Sequence, residues 1–127
     1  MFDSIKKMVN KAGIGKPNIM KKYIDTFKKN KLDSDEELLV YAAPLAKPTE
    51  LLFITDKRVF YYKMGTKDTS MDRMVDYKDI QSCEISTEDN HASIMIDTTS
   101  TTITMNRVAI DVAENVKQTV DNKLNEQ

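Results

Sequence analysis

Between Glu37 and Asn106 the chain breaks into seven short runs rich in aliphatic, β-branched and aromatic residues, with turn residues in every gap. The runs fall at 37–44, 50–55, 58–64, 71–77, 80–86, 92–98 and 101–106. The gaps hold Pro44 to Pro48, Asp56-Lys57, Gly65 to Ser70, Lys78-Asp79, Glu88-Asp89-Asn90 and Thr99-Ser100. Where the pattern is cleanest, Ala92, Ile94 and Ile96 alternate with Ser93, Met95 and Asp97, and Ile103 and Met105 with Thr102 and Thr104. Period-two alternation of this kind predicts half-buried antiparallel strands. From 108 to 124 the period returns to that of a helix, with Val108, Val112, Ala113, Val116, Val120 and Leu124 on one stripe. Either Asn106 or an Asp111–Glu114 capping box marks its start. Seven close-spaced strands and one closing helix predict an α+β fold: a curved pair of sheets with an open corner, covered by the helix's apolar stripe.

The centre of the strand region is LLFITDKRVFYYKMG, residues 51–65. Two apolar runs, Leu51 to Ile54 and Val59 to Tyr62, flank Thr55-Asp56-Lys57-Arg58, which reads as a β-hairpin. Thr55 and Asp56 are suited to bond the backbone locally in the turn, and the flanking residues fill the core. No chemistry is needed to explain the motif.

The N-terminal part follows a different rule. Phe2, Ile5, Met8, Val9 and Ala12 share one face of a helix over 2–12, with Lys6, Lys7 and Lys11 on the other. Gly13, Gly15 and Pro17 stop that helix, and Pro17 suits the first turn of a second. There Ile19, Met20, Tyr23, Ile24 and Phe27 form the apolar stripe. Residues 1–31 hold nine lysines, Lys6, Lys7, Lys11, Lys16, Lys21, Lys22, Lys28, Lys29 and Lys31, against Asp3 and Asp25, a charge of +7. The rest of the chain holds ten basic residues against eighteen acidic ones, −8, so the overall −1 conceals a basic arm on an acidic body. The expected division is a basic two-helix extension over 1–32 and a strand-rich domain over 33–127.

Two stretches carry a family likeness. Leu52-Phe53-Ile54-Thr55-Asp56-Lys57-Arg58-Val59-Phe60-Tyr61 resembles the hairpin of bacterial pleckstrin-homology-like (PH-like) domains, the YokE-like group in particular. Val75-Asp76-Tyr77-Lys78-Asp79-Ile80-Gln81-Ser82 is similar to a strand–turn–strand that recurs there. The resemblance spans about 36–124 and leaves the basic arm outside. It implies a seven-stranded antiparallel PH-like barrel or sandwich capped by the C-terminal helix and preceded here by two short helices. Such folds bind phosphoinositides, peptides or proteins. The phosphoinositide binders cluster Lys and Arg between the first two strands, whereas Leu45 to Glu50 offers only Lys47, so headgroup recognition by that pocket is not expected.

No catalytic, metal or cofactor site is expected. Cys83, the single cysteine, sits in an apolar run as a small buried residue and excludes an internal disulfide. His91 stands alone in a polar turn, without the second ligand a transition metal needs. Asp33, Asp35, Glu36 and Glu37 lack the glycine and final glutamate of a calcium loop and read as a solvated turn. The glycines do not match a phosphate loop, and the only histidine has no nucleophile partner. No run reaches the length of a membrane span, and residues 1–13 do not resemble a secretory signal. The expectation is a non-enzymatic cytoplasmic binding module that contacts a protein partner or a second copy of itself. The alternative is a peripheral protein at the inner membrane face. In that case Phe2, Ile5, Met8 and Val9 insert, while Lys6, Lys7, Lys11, Lys16, Lys21, Lys22, Lys28 and Lys29 face anionic lipid. Nucleic acid is disfavoured, because the arm has no arginine and the body is acidic.

Overall fold

The structure, a computed structural model, describes residues 17–64 and 69–126. The expected first helix, with Phe2, Ile5, Met8, Val9, Lys6, Lys7, Lys11 and also Lys16, lies outside the described residues, so one helix precedes the strands among those described. That helix, α1 (Pro17–Lys31), opens on a proline whose missing N–H costs nothing in a first turn. Its last turn places Lys28, Lys29 and Lys31 at the negative end of the helix dipole.

Seven strands follow: β1 (Leu38–Ala42), β2 (Glu50–Thr55), β3 (Arg58–Lys63), β4 (Arg73–Asp76), β5 (Ile80–Thr87), β6 (Ala92–Thr98) and β7 (Thr102–Val108). They form two antiparallel sheets in simple sequence order, β1-β2-β3-β4 and β5-β6-β7. A single 3-10 turn, Tyr77–Asp79, joins the sheets, and the buried Tyr77 hydroxyl donates to the Thr55 carbonyl. At the other end Arg107 adopts φ 62°, and its carbonyl accepts from the Leu45 N–H at 2.8 Å, tying the β1–β2 loop to the end of β7. The closing helix, α2 (Ile110–Asn125), packs chiefly against β5 and β1, the two strands that edge the open corner. Val112, Ala113, Val116 and Val120 are the residues it buries there.

The start of α2 differs from the expectation. Its N-cap is Ala109, with no side-chain cap. Asn106 still belongs to the β7 ladder and accepts from the Ser93 hydroxyl, while Asp111 lies inside the first turn and bonds the Val112 N–H. The strand simply runs two residues further than the alternation signals.

Register assigns each side of the first sheet. Tyr41, Phe53 and Phe60 are direct cross-strand neighbours, as are Leu51 and Tyr62, so these five share one face. Val40, Ala42, Leu52, Ile54, Val59 and Tyr61 take the other. Both faces are buried: Phe53 and Phe60 are sealed as tightly as Leu52 and Ile54. A strand covered on both sides carries a continuous apolar run rather than an alternating one, which is the pattern of β2 and β3. The cover on the aromatic face is α1. Phe27 stacks on Phe53 with ring centroids 4.0 Å apart and meets Phe60 edge-on at 4.8 Å. Met20 and Ile24 are buried beside it, and all three join the same core as the strands.

Candidate functional site

The hairpin turn that stands out in the sequence is the anchor of the chain segment between α1 and β1. Each of its four residues reaches into Asp33–Glu37. The Thr55 hydroxyl donates to Glu36 Oε2 at 2.6 Å and accepts from the N–H groups of Lys57 and Arg58. Asp56 accepts from the Glu37 N–H at 2.8 Å and donates its own N–H to the Glu37 carbonyl at 3.0 Å. Lys57 pairs with Asp35 at 2.7 Å on the surface. Arg58 grips Glu36 with two bonds, Nε to Oε2 at 3.0 Å and Nη2 to Oε1 at 2.8 Å. The same guanidinium reaches the Lys31 carbonyl at the end of α1 at 3.4 Å and lies 4.9 Å over the Phe60 ring.

Glu36 is thus no solvated turn residue: its side chain is fully buried. Burial opposes its ionisation. The hydrogen bonds from Arg58, Thr55 and the Asp33 N–H, with the Arg58 charge, outweigh that and hold the carboxyl at about 2. Arg58 responds in the opposite direction, its pKa raised first by the Glu36 bond. Sequence reading finds the acids and the Lys-Arg pair separately. It misses that they meet across 22 residues, since only the fold brings α1's exit beside the β2–β3 turn. This cluster is a clasp that fastens the segment between α1 and β1 to the β2–β3 turn.

The surfaces on offer lie elsewhere. On α1 the lysines Lys21, Lys22 and Lys29 are exposed and Lys28 is half-buried, while Lys21 forms an i,i+4 pair with Asp25 at 2.7 Å. Because Met20, Ile24 and Phe27 are turned into the core, the outward side of α1 is polar and cationic. Beside the helix runs an open groove of about 360 Å³, lined by Tyr23, Phe27, Leu51, Phe53, Tyr62 and Met64 together with the polar Lys22, Thr26, Asn30 and Lys31 of α1. Burial pushes the Tyr62 phenol up to about 12. On the far side of the same sheet face lies β4, an edge strand of four residues. Met74 pairs in register with Phe60 and is 62% exposed, and Met71 just before the strand is 50% exposed.

The second sheet ends on β5 and β7. At β5, the Lys117 ammonium donates to the Cys83 carbonyl at 2.8 Å and pairs with Asp121 at 3.0 Å. Lys117 thus ties α2 to β5. Cys83 is buried, and desolvation pushes its thiol up to about 12. The Thr-rich β7 remains an edge, with Thr102, Thr104 and Asn106 outward. In the β5–β6 turn, His91 approaches Glu88 at 3.5 Å. Among the described residues no three His, Cys, Asp or Glu side chains converge as metal ligands. Lys47 is exposed in the β1–β2 loop, whose own residues include no second basic one. No helix among the described residues is long and apolar enough to cross a membrane.

Comparison with known proteins agrees with this architecture. The family profile for the bacterial PH domain matches residues 32–122. A DUF1696 family protein with a pleckstrin-homology domain from Shewanella loihica PV-4 superposes with a TM-score of 0.58 at 17% identity. It covers 81% of this chain and 95% of that one. A pleckstrin homology domain from Shewanella amazonensis SB2B gives a TM-score of 0.56 at 13% identity, over 81% of this chain and 86% of the other. No curated protein sequence matches. At these identities the structures speak for the fold alone; the likeness to the YokE-like group stays a resemblance.

Proposed function

From the premise that the chain belongs to the bacterial PH domain family, whose fold is a scaffold for binding, we propose that it is a non-catalytic module for protein interaction or self-association in the cytoplasm. In this reading residues 33–127 form the module and the basic extension over 1–32 selects the partner. The observation that carries it is the pairing of exposed Met74 on a short edge strand, and Met71 just before it, with the cationic outer side of α1, which covers the same sheet. Methionines are adaptable at contact surfaces, and an edge strand offers main-chain bonds to an incoming strand. The partner this suits is an extended segment or a second copy with apolar side chains beside carboxylates.

The alternative is contact with an anionic membrane. The exposed lysines favour it, each contributing about 1 kcal/mol near such a surface. Against it, the apolar stripe of α1 is occupied in the core, which leaves only the lysines of that helix to hold lipid.

Sedimentation velocity and vesicle co-sedimentation separate the two. The full chain is compared with a Lys21→Glu, Lys22→Glu, Lys29→Glu variant and a Met74→Asp variant, at two salt concentrations. Self-association weakened by either variant, with no pelleting on anionic vesicles, is the expected result. A monomer that pellets with anionic vesicles at low salt only, and ceases to do so in the triple variant, refutes the protein reading in favour of lipid.

A further inference from the structure

Among the described residues, Met71 is 50% exposed, Met74 62% and Met95 41%, while Met20 and Met105 are sealed in the core. A thioether is oxidised where an oxidant can reach it, and the sulfoxide turns a flexible apolar side chain into a polar one. Met74 is the most exposed of the three, and its sulfur touches a cation: Arg58 Nη1 donates to Met74 Sδ at 3.2 Å. The contact follows from register. Phe60 stands opposite Met74 and Arg58 opposite Asp76, so all four share one face of the first sheet. The Arg58 guanidinium lies over the Phe60 ring and reaches the sulfur along that face.

We propose that Met74 is a modification site: a peroxide converts its thioether to the sulfoxide, the new oxygen takes over the bond from Arg58 Nη1, and the β4 edge loses its apolar contact. In that step a sulfur lone pair attacks one peroxide oxygen, and the S–O bond forms as the O–O bond breaks. The proton of the attacked oxygen passes to the displaced one, which leaves as water or an alcohol. Sulfur gives up two electrons and the peroxide takes them. A thioether is a weak acceptor, whereas a sulfoxide oxygen facing a charged donor makes a strong bond. Arg58 has that bond to give. Its Nε and Nη2 hold Glu36 at 3.0 and 2.8 Å, and Nη1 is the nitrogen on Met74. Oxidation therefore draws on none of the bonds that hold Glu36, and the fold survives it. The surface does not stay the same, because a polar group replaces the thioether on a four-residue edge strand. Sulfoxide reductases reverse the change. Loss of association presupposes the self-association proposed above, whereas the bond to Arg58 does not.

The test treats the full chain with hydrogen peroxide under native conditions, beside a Met74→Leu variant treated in the same way. Peptide mass mapping reads the sites, and the Arg58 Nε–H signal in a nitrogen–proton NMR spectrum reads the contact. Urea unfolding and sedimentation velocity read the fold and the association. The expected result is a sulfoxide at Met74 while Met20 and Met105 stay reduced, a shifted Arg58 signal, an unlowered urea midpoint and lost self-association. Methionine sulfoxide reductases for both epimers should restore the starting state. In Met74→Leu, peroxide should move neither the Arg58 signal nor the association that variant retains. Met74 left reduced while the less exposed Met95 is oxidised overturns the proposal. So does an Arg58 signal that stays still in the oxidised parent, a lowered midpoint, or an equal response in Met74→Leu. A parent that is monomeric before treatment refutes the self-association reading instead, and the map and the Arg58 signal then decide the site by themselves.

Discussion

Replacing Glu36 with glutamine tests the clasp directly. Glutamine keeps the shape and mimics the protonated acid, so the variant removes the charge while leaving the volume in place. The carboxyl sits at about 2 against an ordinary 4.5. At 1.36 kcal/mol per unit, the ionised form contributes about 3 kcal/mol at neutral pH. The sign follows from a folded value below the unfolded one. The contribution is complete above pH 4.5 and is lost as pH falls through about 2. At pH 3 about 1.4 kcal/mol of it remains. The difference between parent and Glu36→Gln should therefore be about 3 kcal/mol at pH 7 and less than half that at pH 3. Urea unfolding followed by circular dichroism resolves this, since an m near ~1.5 kcal/mol/M turns the pH 7 loss into a midpoint shift of about 2 M.

A second variant guards the interpretation. Arg58→Met leaves a buried carboxylate without its cation, and breaking a buried pair from one side costs about 3–5 kcal/mol. The double variant Glu36→Gln, Arg58→Met removes both halves, so its loss should fall well short of the summed single losses. A Glu36→Gln loss below about 0.5 kcal/mol, the range of an ordinary surface change, would refute the clasp. So would a loss that is equal at pH 7 and pH 3, or additivity in the double variant.

Two further outcomes are expected. Phe27→Ala removes the ring stacked on Phe53 and should cost about 3–5 kcal/mol in urea unfolding; a change below about 1 kcal/mol would mean that α1 is not part of the cooperative core. Cys83, buried with its thiol held up at about 12, should react with a thiol-specific disulfide reagent at pH 8 only as fast as the protein opens. Reaction at the rate of a free thiol in native buffer would contradict its placement.

The strand order is legible because turn chemistry punctuates it: Asp56-Lys57, Lys78-Asp79 and Thr99-Ser100 all fall between observed strands, and only the ends differ by a residue or two. The two halves of the clasp are each visible as charge, but their meeting is not. Local spacing says nothing about residues 22 apart until α1 is laid across the sheet. The cover on that sheet is, by contrast, written into β2 and β3. Ala92–Thr98 alternates and has an exposed Met95, whereas Leu51–Ile54 and Val59–Tyr62 do not alternate at all. In an antiparallel sheet, absent alternation means a second apolar layer. The apolar stripe of residues 19–27 is the nearest candidate to supply it.

That layer decides how the basic extension can be studied. The family match begins at residue 32, yet Met20, Ile24 and Phe27 lie in one core with Phe53 and Phe60. Truncation at Asp33 would expose Leu51, Phe53, Phe60 and Tyr62 together and cut the Lys31 carbonyl from Arg58. An apolar face of that size aggregates and adheres to vesicles by itself. Loss or gain of binding in a truncated chain would then report the uncovered sheet and not the missing lysines. Charge reversal at Lys21, Lys22 and Lys29 changes the outward side of α1 alone and leaves its buried side in place. The role of the lysines is therefore to be read from substitution within the full chain.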